Sequence, residues 1–231
     1  MLPNGNRGGA NIMGKPKKEK KLTPRQMKQL QNFNTLRKKL LEKGYTEKKL
    51  SFDLVKANSV AFISTLPIVL VLLVLYIVVN GVDQTASGSG FMFIIMVLVG
   101  IVIHELIHGA VGAVFAKNKL QSIHFGFDWA TFTPYCHCAE ALSVAQYALV
   151  VVLPTLFLGF LPYLIGLAFS RLPIALYGLL FIFMGGGDAY ILWLLRKERQ
   201  GIILDHPFLG GCVIFHPQHQ DDQSMLAMLE E

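Results

Sequence analysis

His104-Glu105-Leu106-Ile107-His108 is an HExxH pattern. On a helix its two imidazoles stand at i and i+4, on one face, where both can reach a single zinc ion. A glutamate directly after the first histidine can then act as general base, taking a proton from water that the metal polarises. The pattern sits inside an apolar run, Phe91 to Ala116, whose only charged side chain is Glu105. Ionisable groups at bilayer depth cost about 2.5–3.5 kcal/mol on insertion scales, so they seldom persist there without a role. The competing reading is a chance pattern, with both histidines hydrogen-bonded in a bundle or lining a polar cavity.

A zinc site needs a third protein ligand and an open position. Asp188 follows Gly185-Gly186-Gly187 and is the only charged residue between Pro173 and Leu195. His108 lies 8 residues before Ala116 and Asp188 lies 7 before Leu195. If both runs cross in the same direction, the two differ in depth by about 1.5 Å. The glycines, with Gly109 and Gly112 on the other run, suit a close helix approach. Otherwise Asp188 is a hydrogen-bonded structural acid. Glu140, His124 and His137 are the fallback ligands. Cys136-His137-Cys138 lacks a second ligand pair at standard spacing, and reads better as a turn after Pro134 than as a second metal site.

The elements that must hold these residues are membrane spans. The chain has 231 residues, 53% hydrophobic and only 16% charged, whereas a soluble domain carries about 25% charged residues. Four apolar runs, about 59–80, 91–116, 142–169 and 173–195, are each long enough to cross a core about 30 Å thick. Pro154 and Pro162 fall inside the third as tolerated kinks.

Charge sets the topology. Of the 21 Lys and Arg, 15 lie in residues 1–58, against four acids there. The 81–90 connection has none, and Arg171 is alone between the third and fourth runs. The positive-inside rule predicts cytoplasmic termini and a cytoplasmic 117–141 loop. The basic block suits a segment near anionic lipid, not nucleic-acid binding. Three cysteines give no disulfide framework and fit a reducing compartment.

Residues 1–22 are polar and then Lys-rich, without the apolar core of a signal peptide, and read as a disordered tail. Thr23, Pro24 and Gln26 make a capping box, and Gly44 a stop, so a basic amphipathic helix is predicted between them. Its apolar face could lie on the membrane or pack on the protein, and the pattern fits both. Residues 23–58 form this helix and a juxtamembrane segment, 59–195 the membrane domain, and 196–231 a cytoplasmic tail. Alternation over 123–129, with a return at Thr131-Phe132-Thr133, predicts a small hairpin. Gly210-Gly211, between Asp205-His206-Pro207 and Phe215-His216-Pro217, suggests another, without a catalytic part. His219, Asp221 and Asp222 read as solvated tail.

HELIHG in a span, a strand-like loop with PYCHC and a Gly-Asp pair in a later span together resemble a bacterial membrane family of zincin peptidases. That family is distantly related to the site-2 intramembrane metalloproteases. The resemblance covers roughly residues 50–215. It implies His104 and His108 as metal ligands, Glu105 as catalytic acid/base and Asp188 as the later aspartate. One departure is the Gly-Gly-Gly-Asp-Ala-Tyr context of Asp188, where better-studied site-2 proteases carry an Asn-Pro-x-x-Asp-Gly-like one.

The expectation is therefore an all-α polytopic membrane protein with four transmembrane helices, a basic N-terminal helix and a small hairpin-like loop. Its expected activity is zinc-dependent hydrolysis of peptide bonds in membrane protein or peptide substrates, in a bacterial plasma membrane. The alternative is a non-enzymatic membrane protein that binds or transports a metal. Transport usually distributes polar residues along a path; here they gather at one depth and no repeat is visible.

Overall fold

The computed structural model describes residues 23–52, 54–81, 90–129, 133–207 and 210–217. The tail at 1–22, most of the 81–90 connection, Thr131-Phe132 and the His219–Asp222 tail lie outside them.

Helix α1, Pro24–Glu42, opens with the reciprocal capping box: Thr23 accepts the Gln26 N–H, and Gln26 Oε1 accepts the Thr23 N–H at 2.9 Å. It ends before Gly44, whose φ of +83° is the left-handed conformation that favours glycine. Phe33 and Leu40 on its apolar face are buried against Ile202, Leu204, Val213 and Phe215. Of the two readings of this helix, packing on the protein is the one observed.

What it packs on is a sheet, and here the all-α expectation is corrected. Strands β1 (Tyr45–Phe52), β4 (Ala141–Ser143), β5 (Ile202–Asp205) and β6 (Gly210–Pro217) form an antiparallel sheet in the order β1-β6-β5-β4. The β5–β6 pair is the predicted hairpin. β1 hides in the juxtamembrane segment because three of its eight residues are charged and its partner is far along the chain. Its charges find partners: Lys48 Nζ lies 2.6 Å from Glu198, and Arg37 pairs with Glu47.

Helices α2 (Leu54–Asn80) and α3 (Gly90–Phe115) match the first two apolar runs. The third is continuous but not uniform. α4 (Val144–Pro154) passes into a π-helical segment, Thr155–Phe160, and then α5 (Leu161–Ala168). The wider turn begins at Pro154, whose missing N–H breaks the regular ladder. The fourth run is α6 (Leu172–Met184) and α7 (Gly186–Leu195), bent by 49° at Gly185. Among the described residues three helices are long and apolar enough to cross a membrane, and the bent pair is a fourth if it counts as one span. Ile63 and Val78 of α2 are 74% and 76% exposed, a pattern that fits lipid-facing surface and not a soluble core.

Strands β2 (Ile123–Asp128) and β3 (Thr133–Cys138) form the hairpin predicted after the second span. Cys136-His137-Cys138 is its return strand, which corrects the turn expected after Pro134. The Ala139 N–H donates to the Ser122 carbonyl at 2.8 Å, so this pair is hydrogen-bonded. Alternation then turns the Cys136 and Cys138 N–H groups away from β2, onto the free edge of β3. The hairpin lies along α3. A Cβ at Gly109 would stand 3.1 Å from Ile123, and one at Gly112 3.2 Å from the same side chain. These glycines admit the hairpin, where the sequence suggested a neighbouring helix.

Candidate metal centre

The HExxH residues occupy the middle of α3, directly before Gly109. Their spacing brings the two Nε2 atoms to 3.2 Å from each other. Asp188, in the first turn of α7, brings Oδ2 to 3.1 Å from His104 Nε2 and 3.5 Å from His108 Nε2. The break at Gly185 starts a new helix just before Asp188, and a first turn favours a carboxylate. The glycines here have separate uses. Gly185 lies against Thr155 and Gly186 against Ala61 and Thr65 of α2, while nothing crowds Gly187.

The protonation pattern of this triangle follows from its neighbours. His108 Nδ1 faces the Val150 carbonyl at 2.8 Å, and a carbonyl can only accept. In the neutral ring Nδ1 therefore carries the proton, and Nε2 turns a lone pair toward His104 and Asp188. The His108 lone pair and the Asp188 carboxylate thus converge with His104 Nε2, all largely shielded from solvent. The ligand atoms of a tetrahedral zinc, with bonds of about 2.0–2.2 Å, are separated by roughly 3.3–3.6 Å. Of the observed edges, 3.5 Å falls in that range and 3.1 and 3.2 Å fall just short of it, so a small outward shift of the ligand atoms would make one face of such a tetrahedron.

Glu105 stands on the adjacent helix position. His104, Glu105 and His108 each offer a donor atom within 4.8 Å of the others. Asp188 lies closer than that to both histidines, so its carboxylate completes the triangle better than Glu105 does. The Glu105 carboxylate instead accepts the backbone N–H of Cys136 from the free edge of β3.

The fallback ligands are elsewhere. Glu140 accepts from the Lys117 N–H at 2.5 Å, from the Asn118 N–H and amide, and from the Ser122 hydroxyl. Burial raises its pKa, but these donors outweigh burial and hold it below the usual carboxylate value. His124 stacks on His137 across the hairpin, and His137 Nδ1 meets Asp205 at 3.0 Å. Burial pushes the Cys138 and Cys212 thiols up to about 11 and about 12, and Cys136 is raised too, so the thiolate is disfavoured at all three. Sequence reasoning missed the Cys136 N–H, the Val150 carbonyl and Asp205. The first two are backbone groups with no residue signature, and Asp205 lies in a segment that reads as a plain hairpin.

Residues 97–203 match the family described as "Putative zincin peptidase". The match implies a metallopeptidase, in agreement with the His-Glu-His cluster on α3. It spans the HExxH helix, the β2–β3 hairpin and Asp188. Neither a curated protein nor a solved structure matched the chain.

Proposed function

We propose that this protein is a zinc-dependent intramembrane metalloprotease that hydrolyses peptide bonds of membrane protein substrates. The carrying observation is the triangle of His104 Nε2, His108 Nε2 and Asp188 Oδ2, with edges suited to zinc and Glu105 beside it.

A zinc ion held by His104, His108 and Asp188 would polarise a water and the scissile carbonyl. Glu105 takes one proton as the water oxygen bonds to the carbonyl carbon, and returns it to the amine as the C–N bond breaks. The Cys136 N–H orients the Glu105 carboxylate, and the Val150 carbonyl fixes the His108 tautomer. A helical substrate must unwind locally before attack, because its carbonyls are hydrogen-bonded.

The membrane arrangement is part of the proposal. β1 precedes the first span and β6 follows the last, yet they pair in one sheet. Paired strands share one side of a bilayer, so an even number of crossings separates them. With α2, α3 and the α4–α5 helix as three, that parity supports counting α6 and α7 together as a fourth. The basic residues argue for the cytoplasm as the sheet side, in a bacterial plasma membrane.

The test pairs metal stoichiometry with a comparison of membrane proteomes for wild type and Glu105→Gln. General acid–base catalysis contributes about 10²–10⁴ in rate. The variant should keep its zinc and accumulate uncleaved substrate. Loss of zinc with altered cellular metal content and an unchanged proteome would favour a metal carrier.

A further inference from the structure

Asp205, the last residue of β5, holds three elements together. Its Oδ2 accepts from His137 Nδ1 at 3.0 Å and from the Cys138 N–H at 3.2 Å, both on β3. Its Oδ1 accepts from the Tyr147 hydroxyl on α4, also at 3.2 Å. His137 and Tyr147 are buried. A carboxylate with this many partners is more than edge decoration, since removing it leaves several buried donors unpaired.

Both elements that Asp205 fastens also reach the candidate metal centre, each through a backbone group. On β3, two residues before Cys138, the Cys136 N–H is donated to Glu105. On α4, one turn after Tyr147, the Val150 carbonyl accepts from His108 Nδ1 at 2.8 Å. Asp205 thus stands one element away from the orientation of both the glutamate and a histidine. We propose that Asp205 is a positioning residue: it fixes the strand and the helix whose backbone groups orient Glu105 and His108. This inference rests on the metallopeptidase reading of the HExxH cluster.

A merely structural acid beside the same sheet, in the connection between α7 and β5, provides the control. Glu198 is buried between Lys48 and His216, at 2.6 and 3.1 Å, and has no hydrogen bond or ion pair to β3 or α4 among the described residues. The experiment uses full-length protein in detergent, comparing Asp205→Ala, Asp205→Asn and Glu198→Gln. It reads zinc affinity by chelator competition, the absorption spectrum of the cobalt-substituted protein, thermal midpoint, and amide exchange over 133–138. Loss of an outer-shell partner typically costs 10–100-fold in metal affinity. Asp205 acts one contact further out, so Asp205→Ala should lose affinity by up to about that range, with a changed cobalt spectrum and faster exchange at the hairpin. Asp205→Asn should fall between it and wild type, because the amide oxygen keeps part of the acceptor set. Glu198→Gln should lower the thermal midpoint and leave zinc affinity alone.

Wild-type zinc affinity and cobalt spectrum in both Asp205 variants would overturn the proposal. So would an equal loss of affinity in Glu198→Gln, which would mean that any loosening of the sheet suffices. Should Asp205→Ala fail to fold, Asp205→Asn decides the matter by the same two readouts. If wild type binds no zinc, the metallopeptidase reading fails. Hairpin exchange then decides separately whether Asp205 anchors β3, with wild-type rates in the variants overturning that claim.

Discussion

The Cys136 N–H is donated to the Glu105 carboxylate, which ties an acid of the HExxH helix to the edge of a strand. Cys138, two residues on, gives its N–H to Asp205, and Pro134 has none to give. Every outward N–H of β3 is therefore paired with a side chain. An open sheet edge is not tolerated in hydrocarbon. Glu105 lies 10 residues before Phe115, about 15 Å along the helix, so if α3 crosses a bilayer this edge runs well into its depth.

Ligand removal gives the most direct check. His104→Ala or His108→Ala should each strip most of the zinc, because either opens a site with only three protein ligands. Asp188→Asn should weaken zinc binding more than Tyr190→Phe on the same helix. Metal analysis of the purified variants measures both, and full occupancy in the two alanine variants would remove His104 and His108 from the site.

Gly109→Val tests the seat of the hairpin. A Cβ there would meet Phe125 at 2.5 Å and Ile123 at 3.1 Å, inside normal contact. Overpacking of this kind typically costs about 1–3 kcal/mol. The hairpin should lift from α3, and exchange at the Cys136 amide should quicken. Unchanged exchange would mean that the seat has room to spare.

Glu140 predicts an acid limit. Its folded pKa is depressed, so its stabilisation is complete above the unfolded value of 4.5 and is lost as pH falls through the lower folded value. Glu140→Gln should expose the turn at 117–122 to faster exchange at neutral pH. The gap from wild type should close only as pH drops below 4.5. A gap independent of pH would show that shape, and not charge, holds this turn.

Topology can be read by thiol labelling of intact cells in a cysteine-free background. A cysteine at Ser87 should react with an impermeant reagent, and one at the exposed Lys197 should not. The reverse result would invert the orientation.

The parts legible in sequence are those written locally. The capping box at Thr23 and Gln26, the span ends near Asn80 and Phe115, and the HExxH spacing each depend on residues within a few turns. Asp188 stands out because one charge in an apolar run costs energy wherever it sits. The sheet is not legible, because Tyr45 pairs with Pro217 and nothing in a Lys-Lys-rich stretch announces a partner that distant. Cys136-His137-Cys138 misleads because Pro134 signals a turn, although a proline on a free edge gives up no ladder bond. The contacts that orient Glu105 and His108 come from main-chain atoms, which every residue type supplies equally.

The pairing of β1 with β6 also sets a schedule. Phe52 leaves the ribosome 158 residues before its partner Gly210. At about 5–20 residues per second, that is a wait of roughly 8–30 s. Throughout it, β1 has no partner strand and α1 has no surface on which to bury Phe33 and Leu40. All the spans are made before the sheet can close, so its closure comes last. A nascent chain stopped before residue 210 would hold HExxH and Asp188, but its β1 would still lack its mate.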